Sequence, residues 1–151
     1  NKGFTGDDVL NWVRENASES FNLFFAHKPC YPIGKHIGSS LDLHPEQRDK
    51  LWTLIDELPG TCYFNSHEHM YYRRAVDSSF NEAYTHTEFQ VNTAGIGAPF
   101  HKIVEDKRGL VVEPIWVWHY IIATVWPDRA DFSVIDVDGN IIDSFSIPAG
   151  I

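Results

Sequence analysis

The fold follows from one segment of the sequence, Asn65-Ser66-His67-Glu68-His69-Met70-Tyr71-Tyr72-Arg73-Arg74. It comes directly after the apolar run Thr61-Cys62-Tyr63-Phe64, which Pro59-Gly60 bounds and which is typical of a short buried strand. Two histidines just past a strand end, His67 and His69, can both direct their imidazoles into the space above the sheet, where open α/β sheets bind ligands. Imidazole is the commonest protein ligand for metal ions. A His-x-His pair alone is more commonly two solvated loop histidines than a metal site. The assignment of a metal site therefore depends on the rest of the sequence.

Residues 66–73 resemble a metal-binding segment of a known enzyme family. They match the pattern Gly-His-x-His-x-Tyr-x-Arg of the calcineurin-like metallophosphoesterases, most closely that of the purple acid phosphatase branch, with Ser66 in place of the glycine. Further along, Gly95-Ile96-Gly97-Ala98-Pro99 resembles the Gly-x-Gly-Ala-Pro turn that follows the histidine motif in purple-acid-phosphatase-like proteins. The resemblance extends from a helix near residue 6 to the final hairpin.

The resemblance implies both a fold and a reaction. The fold is α/β, the C-terminal half of a metallophosphoesterase α/β/β/α sandwich, with a mixed sheet and an antiparallel hairpin at its end. The reaction is hydrolysis of phosphate esters by a metal-activated hydroxide at a centre of two metal ions. In the family pattern, His69 binds the first ion, and His27 and His67 bind the second. The family uses iron, zinc and manganese, and imidazole ligands alone do not show which of these metals is bound. The sequence also does not distinguish a monoester, a diester or a nucleotide substrate.

A second strand ends at a histidine. The run Phe21-Asn22-Leu23-Phe24-Phe25-Ala26 is nearly all apolar, which predicts a strand buried on both faces of a sheet. Pro29 ends this strand and leaves His27 in an extended position just past it. A capped strand-end histidine is the alternative interpretation of His27 alone, whereas the family resemblance implies a metal ligand.

A helix is predicted between the two strands. Pro45 suits the first helical position, and the following apolar residues have helical spacing, namely Leu51, Leu54, Ile55 and Leu58. Strand, helix and strand then form a βαβ crossover, whose right-handed form makes the strands parallel. We therefore expect His27, His67 and His69 to converge at one edge of the sheet.

The loop over residues 31–44 carries a further candidate. Long loops in compact domains are commonly functional or disordered, and His36 lies in this one, nine residues after His27. In purple acid phosphatases a histidine at about this offset faces the substrate and can protonate the leaving group, which suits a group that titrates near neutrality. A solvated loop histidine is the alternative. His44 is expected at the start of the next helix, without a chemical role.

The remaining elements are predicted from periodicity and turn residues. They are a helix over about residues 6–16 capped by Thr5, a strand over 88–91, a variable loop over 102–113, a central strand over 115–125 between packed layers, and a hairpin that turns at Asp138-Gly139-Asn140 and returns over 141–147. Of the other polar residues, His101 is expected to be solvated and His119 to be a satisfied core histidine. Arg73 and Arg74 are assigned a structural role, with phosphate binding as the alternative.

The composition limits the partners. The 151 residues carry a formal net charge of −9, which argues against a nucleic acid or an anionic membrane as partner. An anionic substrate such as a phosphate ester stays possible, because bound metal ions can be the largest local charges in a site. The apolar runs are too short to cross a bilayer, and Cys30 and Cys62 are expected to be unpaired thiols. The cellular compartment is indicated only by the resemblance to the purple acid phosphatase branch, whose members are frequently exported.

The sequence contains only part of the family's ligand set. The family also uses Asp-x-His, Gly-Asp and Gly-Asn-His motifs that precede the His27 segment, and the one Asp-x-His here, at residues 42–44, falls after it. We therefore expect residues 1–151 to form a single partial domain, inactive as this fragment. The missing N-terminal half or a homo-oligomer is expected to cover an exposed apolar sheet. The alternative function is that of a non-enzymatic half-domain that serves as a binding or interaction module.

Overall fold

The computed structural model describes residues 6–150 of the chain. Their helices and strands are, in chain order, α1 (Asp7–Asn16), β1 (Asn22–Phe25), α2 (Pro45–Glu57), β2 (Thr61–Asn65), β3 (Tyr71–Val76), β4 (Glu88–Thr93), β5 (Leu110–Ile115), β6 (His119–Val125), β7 (Arg129–Asp136) and β8 (Ile141–Pro148), with a 3-10 turn at Leu41–Leu43. The predicted cap at Thr5 lies outside the described residues, and Gly6 at the N-cap offers no side-chain hydrogen bond.

The strands form two sheets. The first has the order β1-β2-β4-β3-β5, in which β1, β2 and β4 run parallel and β3 runs antiparallel to both of its neighbours. The second is the antiparallel sheet β6-β7-β8. The parallel pairing of β1 with β2, and the hairpin of β7 and β8, were both predicted from the sequence and are confirmed.

The first sheet is covered on both faces. Side chains alternate along β2, so that Tyr63 packs in a cluster with Trp52 of α2 while Cys62 and Phe64 pack in a second cluster with Phe132 of β7. Helices therefore lie on one face and the second sheet on the other, in α/β/β layers. This mixed α/β architecture with an antiparallel hairpin at its end agrees with the predicted fold class.

Helix α2 is the main cover of the helical face. Pro45 occupies its first turn and His44 its N-cap, and its buried residues include Leu51, Leu54 and Ile55 at the predicted spacing. Helix α1 contributes the buried Leu10. Two exposed ion pairs, Arg14–Glu57 and Lys50–Asp7, connect the helices, and such pairs add little stability.

Three sequence predictions are wrong in detail. Strand β1 packs on both faces, through Phe24 and Leu23, but it is only partly buried, and Phe25 at its end is 75% exposed. The predicted central strand over 115–125 is two strands of different sheets, since Ile115 pairs with Tyr71 in the first sheet and His119 starts β6 at the edge of the second. The predicted loop over 102–113 contains the start of β5. The local pattern of apolar residues does not show whether a strand lies at the edge of a sheet or where the chain passes from one sheet to the other.

Cys30 and Cys62 are both buried and unpaired, as expected. Burial raises the pKa of the Cys30 thiol to about 12, so it stays protonated. No helix within residues 6–150 has the length and apolar character needed to span a membrane.

Candidate metal centre

His27 and His67 lie just past the ends of the parallel strands β1 and β2. Backbone pairing continues beyond both strands, because the Ala26 N–H donates to the Phe64 carbonyl and the Ser66 N–H donates to the His27 carbonyl, each at 3.0 Å. The two imidazoles are thereby brought together edge to face, at an interplanar angle of 64°, with Nε2 of His27 3.0 Å from Nδ1 of His67. Of the three histidines expected to converge at the sheet edge, His27 and His67 are thus in direct contact.

The turn that begins at His67 has an uncommon backbone conformation. The φ angle of His67 is 74°, in the left-handed region that residues with a Cβ seldom adopt. Buried amides hold the turn: Asn92 Nδ2 donates to the carbonyls of Glu68 at 2.6 Å and Met70 at 2.7 Å, and Asn65 Nδ2 donates to Asn92 Oδ1 at 2.7 Å. Backbone strain that is fixed in this way by its surroundings is typical of functional sites.

The backbone fixes the orientation of His69. Nδ1 of His69 lies 2.7 Å from the Pro99 carbonyl, in the Gly-rich turn that the sequence singled out. Because a carbonyl only accepts, Nδ1 carries the proton and donates it, and Nε2 keeps its lone pair. Metal-binding histidines are commonly held in this way, with one ring nitrogen bonded to a backbone carbonyl and the other directed at the metal.

His36 joins the same group of rings. Its ring centroid lies 3.7 Å from that of His67. The loop that carries His36 is held by Glu68, the central residue of the His-x-His motif, which accepts hydrogen bonds from the backbone N–H groups of Ile33 at 2.8 Å and Gly34 at 2.7 Å. The structure thus places His36 in contact with His67, and both rings lie within electrostatic reach of His69.

The prediction that His101 is solvated is wrong. Its ring is half-buried and stacks on His69 with a centroid distance of 4.1 Å, and it lies 5.1 Å from the ring of His36. Nε2 of His101 is 3.1 Å from Nζ of Lys35, and Trp116 Nε1 donates to the His101 carbonyl at 2.7 Å. The position of His101, two residues beyond the Gly-rich turn, was the signal that could have brought it into the site.

The environment of three of these rings, those of His67, His36 and His101, favours neutral imidazole. The pKa of His67 is lowered to about 4, mainly by burial and then by the proximity of His36 and His27. Burial is also the main cause that lowers the pKa values of His36 and His101, and the charge of Lys35 lowers both further. Neutral imidazole is the form that binds metal ions.

The rings fit a metal centre in part. Two nitrogens bound to one ion, each at about 2.1 Å, lie about 3.0–3.4 Å apart for bond angles of about 90–109°. The observed separation between His27 and His67 nitrogens, 3.0 Å, is within this range. However, no group of three histidine, cysteine or carboxylate side chains within residues 6–150 forms a ready ligand set for a single ion. Among the described residues, the imidazoles are therefore not completed to a full ligand set.

The arginines after the motif are engaged away from the rings. Arg73 forms an ion pair with Asp143 at 2.8 Å. Arg74, fully buried, donates to the carbonyls of Tyr31 at 3.0 Å and Asp106 at 2.9 Å. These contacts agree with the structural role assigned to both residues from the sequence.

Two further histidines are occupied elsewhere. His119 is buried, with Nδ1 2.9 Å from the Val117 carbonyl and Nε2 3.1 Å from Thr93 Oγ1, as expected for a satisfied core histidine. His86 contacts the Asp56 backbone carbonyl at 3.0 Å through Nδ1 and is exposed. Neither contributes to the candidate centre.

Comparison with known proteins supports the fold. No protein-family model matches the chain, and no curated protein matches it in sequence. Among solved structures, the chain is similar to a purple acid phosphatase isolated from yellow lupin (Lupinus luteus) seeds, with a TM-score of 0.75 over 96% of this chain at 15% sequence identity. The chain covers 29% of the length of that phosphatase. This similarity shows that the chain shares the fold of part of that phosphatase, and it confirms the predicted fold class.

Proposed function

We propose that this chain is part of a metal-dependent phosphoesterase and supplies three of its metal-binding imidazoles. The observation that supports the proposal is the contact of His27 with His67 at one sheet edge of a phosphatase-like fold, with His69 within electrostatic reach of His67. The depressed pKa of His67 and the hydrogen bond that orients His69 both favour this role.

The residues divide into metal ligands and one substrate-facing group. His27 and His67 would hold one ion, and His69 a second, each of them iron, zinc or manganese. When bound, such ions supply a nucleophile at neutral pH and stabilise the charge that develops on phosphorus and its oxygens. His36 would donate a proton to the leaving oxygen. Burial lowers the pKa of free His36, whereas the negative charge of a phosphate beside the ring would raise it again.

We propose that the carboxylate ligands come from another part of a longer protein or from a partner. A centre of two cations needs anionic ligands to balance its charge, and the described residues add none to the imidazoles. The chain covers 29% of the solved phosphatase to which it is similar, which leaves the larger part of such an enzyme to be supplied. On this basis residues 1–151 would be a partial domain and inactive alone.

The test uses the full-length protein that contains this chain. We expect His67→Ala and His69→Ala each to reduce phosphoesterase activity by at least about 100-fold and to lower the bound metal content. His86→Ala, which removes an exposed imidazole outside the centre, should change neither quantity. Full activity and full metal content in His67→Ala would overturn the assignment.

A non-enzymatic binding module is the second candidate function. The incomplete ligand set among the described residues favours it. Metal stoichiometry separates the two functions, because an enzyme of this kind binds two ions tightly per full-length protein. A full-length protein that binds at most one ion and hydrolyses no phosphate ester would support the module.

A further inference from the structure

A lysine extends the group of imidazoles on the side away from His27. The ring of His101 stacks on His69, and Nζ of Lys35 lies 3.1 Å from Nε2 of His101. An ammonium only donates, so this nitrogen of His101 accepts. A lysine has three N–H donors, and within the described residues the contact with His101 uses one of them. We call Lys35 and His101 together the anion arm.

The backbone holds the anion arm in place. Gly34, just before Lys35, forms an isolated bridge with Val104, and the Ile103 carbonyl leaves no room for a Cβ on Gly34. The Ile33 carbonyl accepts from the Glu105 N–H at 2.7 Å. The backbone segments that carry Lys35 and His101 are therefore fixed to one another, which keeps the Lys35 ammonium near the His101 ring.

The charge of Lys35 is available for a ligand, in contrast to that of the nearest comparable lysine. Lys28 also lies beside the centre, where its charge acts on His67, but its Nζ donates to the Ser39 backbone carbonyl at 2.8 Å. In a chain with a net charge of −9, a cation at this place points to an anionic ligand.

We propose that Lys35, positioned by His101, binds a second anionic group of the substrate, beyond the phosphoryl group that is hydrolysed. The inference rests on the proposed function, in which the hydrolysed group lies at the nitrogens of His27, His67 and His69. Lys35 contacts His101, whose ring stacks on that of His69, so Lys35 lies farther from the hydrolysed group than His69 does. The substrate class is thus a phosphate ester or anhydride that carries a carboxylate or a second phosphate a few atoms from the reacting phosphorus.

Two matched probes that cannot be hydrolysed test this inference on the metal-loaded full-length protein. Methylphosphonate has one anionic group, whereas phosphonoacetate has the same phosphonate and a carboxylate. We expect Lys35→Met to weaken phosphonoacetate binding about tenfold, the loss typical of a charge-assisted hydrogen bond, and methylphosphonate binding less than about twofold. Titration calorimetry measures both dissociation constants. Methylenebisphosphonate in place of phosphonoacetate distinguishes a second phosphate from a carboxylate.

Further variants separate the role of Lys35 from a general loss of charge. Lys28→Met removes a neighbouring cation and should weaken the two probes equally or not at all. His101→Gln keeps an acceptor for Lys35 and should retain the preference for phosphonoacetate, whereas His101→Leu should lose it. Equal effects of Lys35→Met on both probes, or none, in a protein that binds metal and methylphosphonate would overturn this inference alone. A protein that binds neither metal nor either probe would overturn the proposed function and the inference with it.

Discussion

Among single residues, Glu68 connects the histidine motif to the loop that presents His36. Its carboxylate is fully buried and accepts from the N–H groups of Ile33 and Gly34 and from the Tyr72 hydroxyl, at 2.7–2.8 Å. A buried carboxylate is tolerated when donors satisfy its oxygens, as they do here. The residue between the two histidines is therefore part of the architecture of the site.

Replacing Glu68 should loosen this loop. Glu68→Gln leaves one acceptor oxygen and sets an NH₂ group against the remaining donors, so we expect a loss of about 1–3 kcal/mol in the free energy of unfolding. Amide exchange at Ile33 and Gly34 should accelerate. Urea unfolding and hydrogen exchange measure the two effects, with the exposed Glu105→Gln as control. Unchanged exchange at Ile33 and Gly34 would contradict the bridging role.

Glu88 couples stability to pH. Burial, with a smaller contribution from Asp56, raises its pKa from the ordinary 4.5 to about 8. The folded chain thus holds this proton more tightly than the unfolded chain does. The contribution of protonated Glu88 to the free energy of unfolding is therefore fully present below pH 4.5 and is lost as the pH rises to about 8.

We expect Glu88→Gln to remove this loss. Allowing for the partial exposure of the side chain, the variant should be more stable than the parent by about 1–2 kcal/mol above pH 8 and equal to it near pH 4. Thermal or urea unfolding across this pH range gives the comparison. Parallel stability curves for variant and parent would contradict the raised pKa of Glu88.

At the level of elements, one ion pair joins the two sheets. Arg73 of β3 pairs with Asp143 of β8 at 2.8 Å, both side chains being less than 10% exposed. The guanidinium lies between the rings of Phe89 and Phe145, at 4.7 and 4.6 Å from their centroids, and Tyr71 also donates to Asp143. The pair is thus enclosed within the sandwich.

Removing one partner of this pair should be costly. Asp143→Ala leaves the Arg73 charge buried and unpaired, so we expect a loss of about 3–5 kcal/mol, of which the double variant Arg73→Met with Asp143→Leu should recover a large part. Breaking the exposed pair Arg14–Glu57 should cost less than about 1 kcal/mol. Chemical unfolding provides all of these values, and an Asp143→Ala loss as small as that of the exposed pair would argue against the enclosed bridge.

Elements whose evidence is local were predictable from the sequence. Helix α2, strand β2 and the last hairpin follow from apolar spacing and turn residues, and the right-handed crossover gives the position of His27 beside His67. The split of residues 115–125 between two sheets was not predictable, because an apolar run has the same pattern in a central strand and in an edge strand. The place of His101 depends on long-range packing against His69, which no local pattern records.

At the level of the whole molecule, the second sheet exposes a band of large apolar residues. On and near β6 these include Trp118, Tyr120, Ile122, Val125 and Trp126, each 46–58% exposed. Contiguous exposed apolar surface commonly marks an interaction site. We propose that a second copy of the chain or another part of a longer protein covers this band.

We expect the isolated chain to self-associate through this band, or to bind an apolar dye there. Replacing Tyr120 and Ile122, which lie two residues apart on one face of β6, with lysine should reduce both effects, since charge opposes burial of the face. Val9→Lys, on an equally exposed apolar residue of α1, should reduce neither. Sedimentation at increasing concentration and dye fluorescence are the measurements. A strictly monomeric chain without dye binding would argue that the band needs no cover.

The left-handed backbone at His67 also places two opposed selective pressures on the residue at this position, one for stability and one for activity. Glycine and asparagine adopt such a conformation with the least strain, whereas hydrolysis would require the imidazole. In a library of all substitutions at position 67, a screen for folded protein should enrich glycine and asparagine over histidine, and a screen for activity of the full-length protein should retain histidine. Position 69, where φ is not positive, should show no such conflict. In a lineage that no longer needs the activity, position 67 would therefore be among the first of these histidines to change.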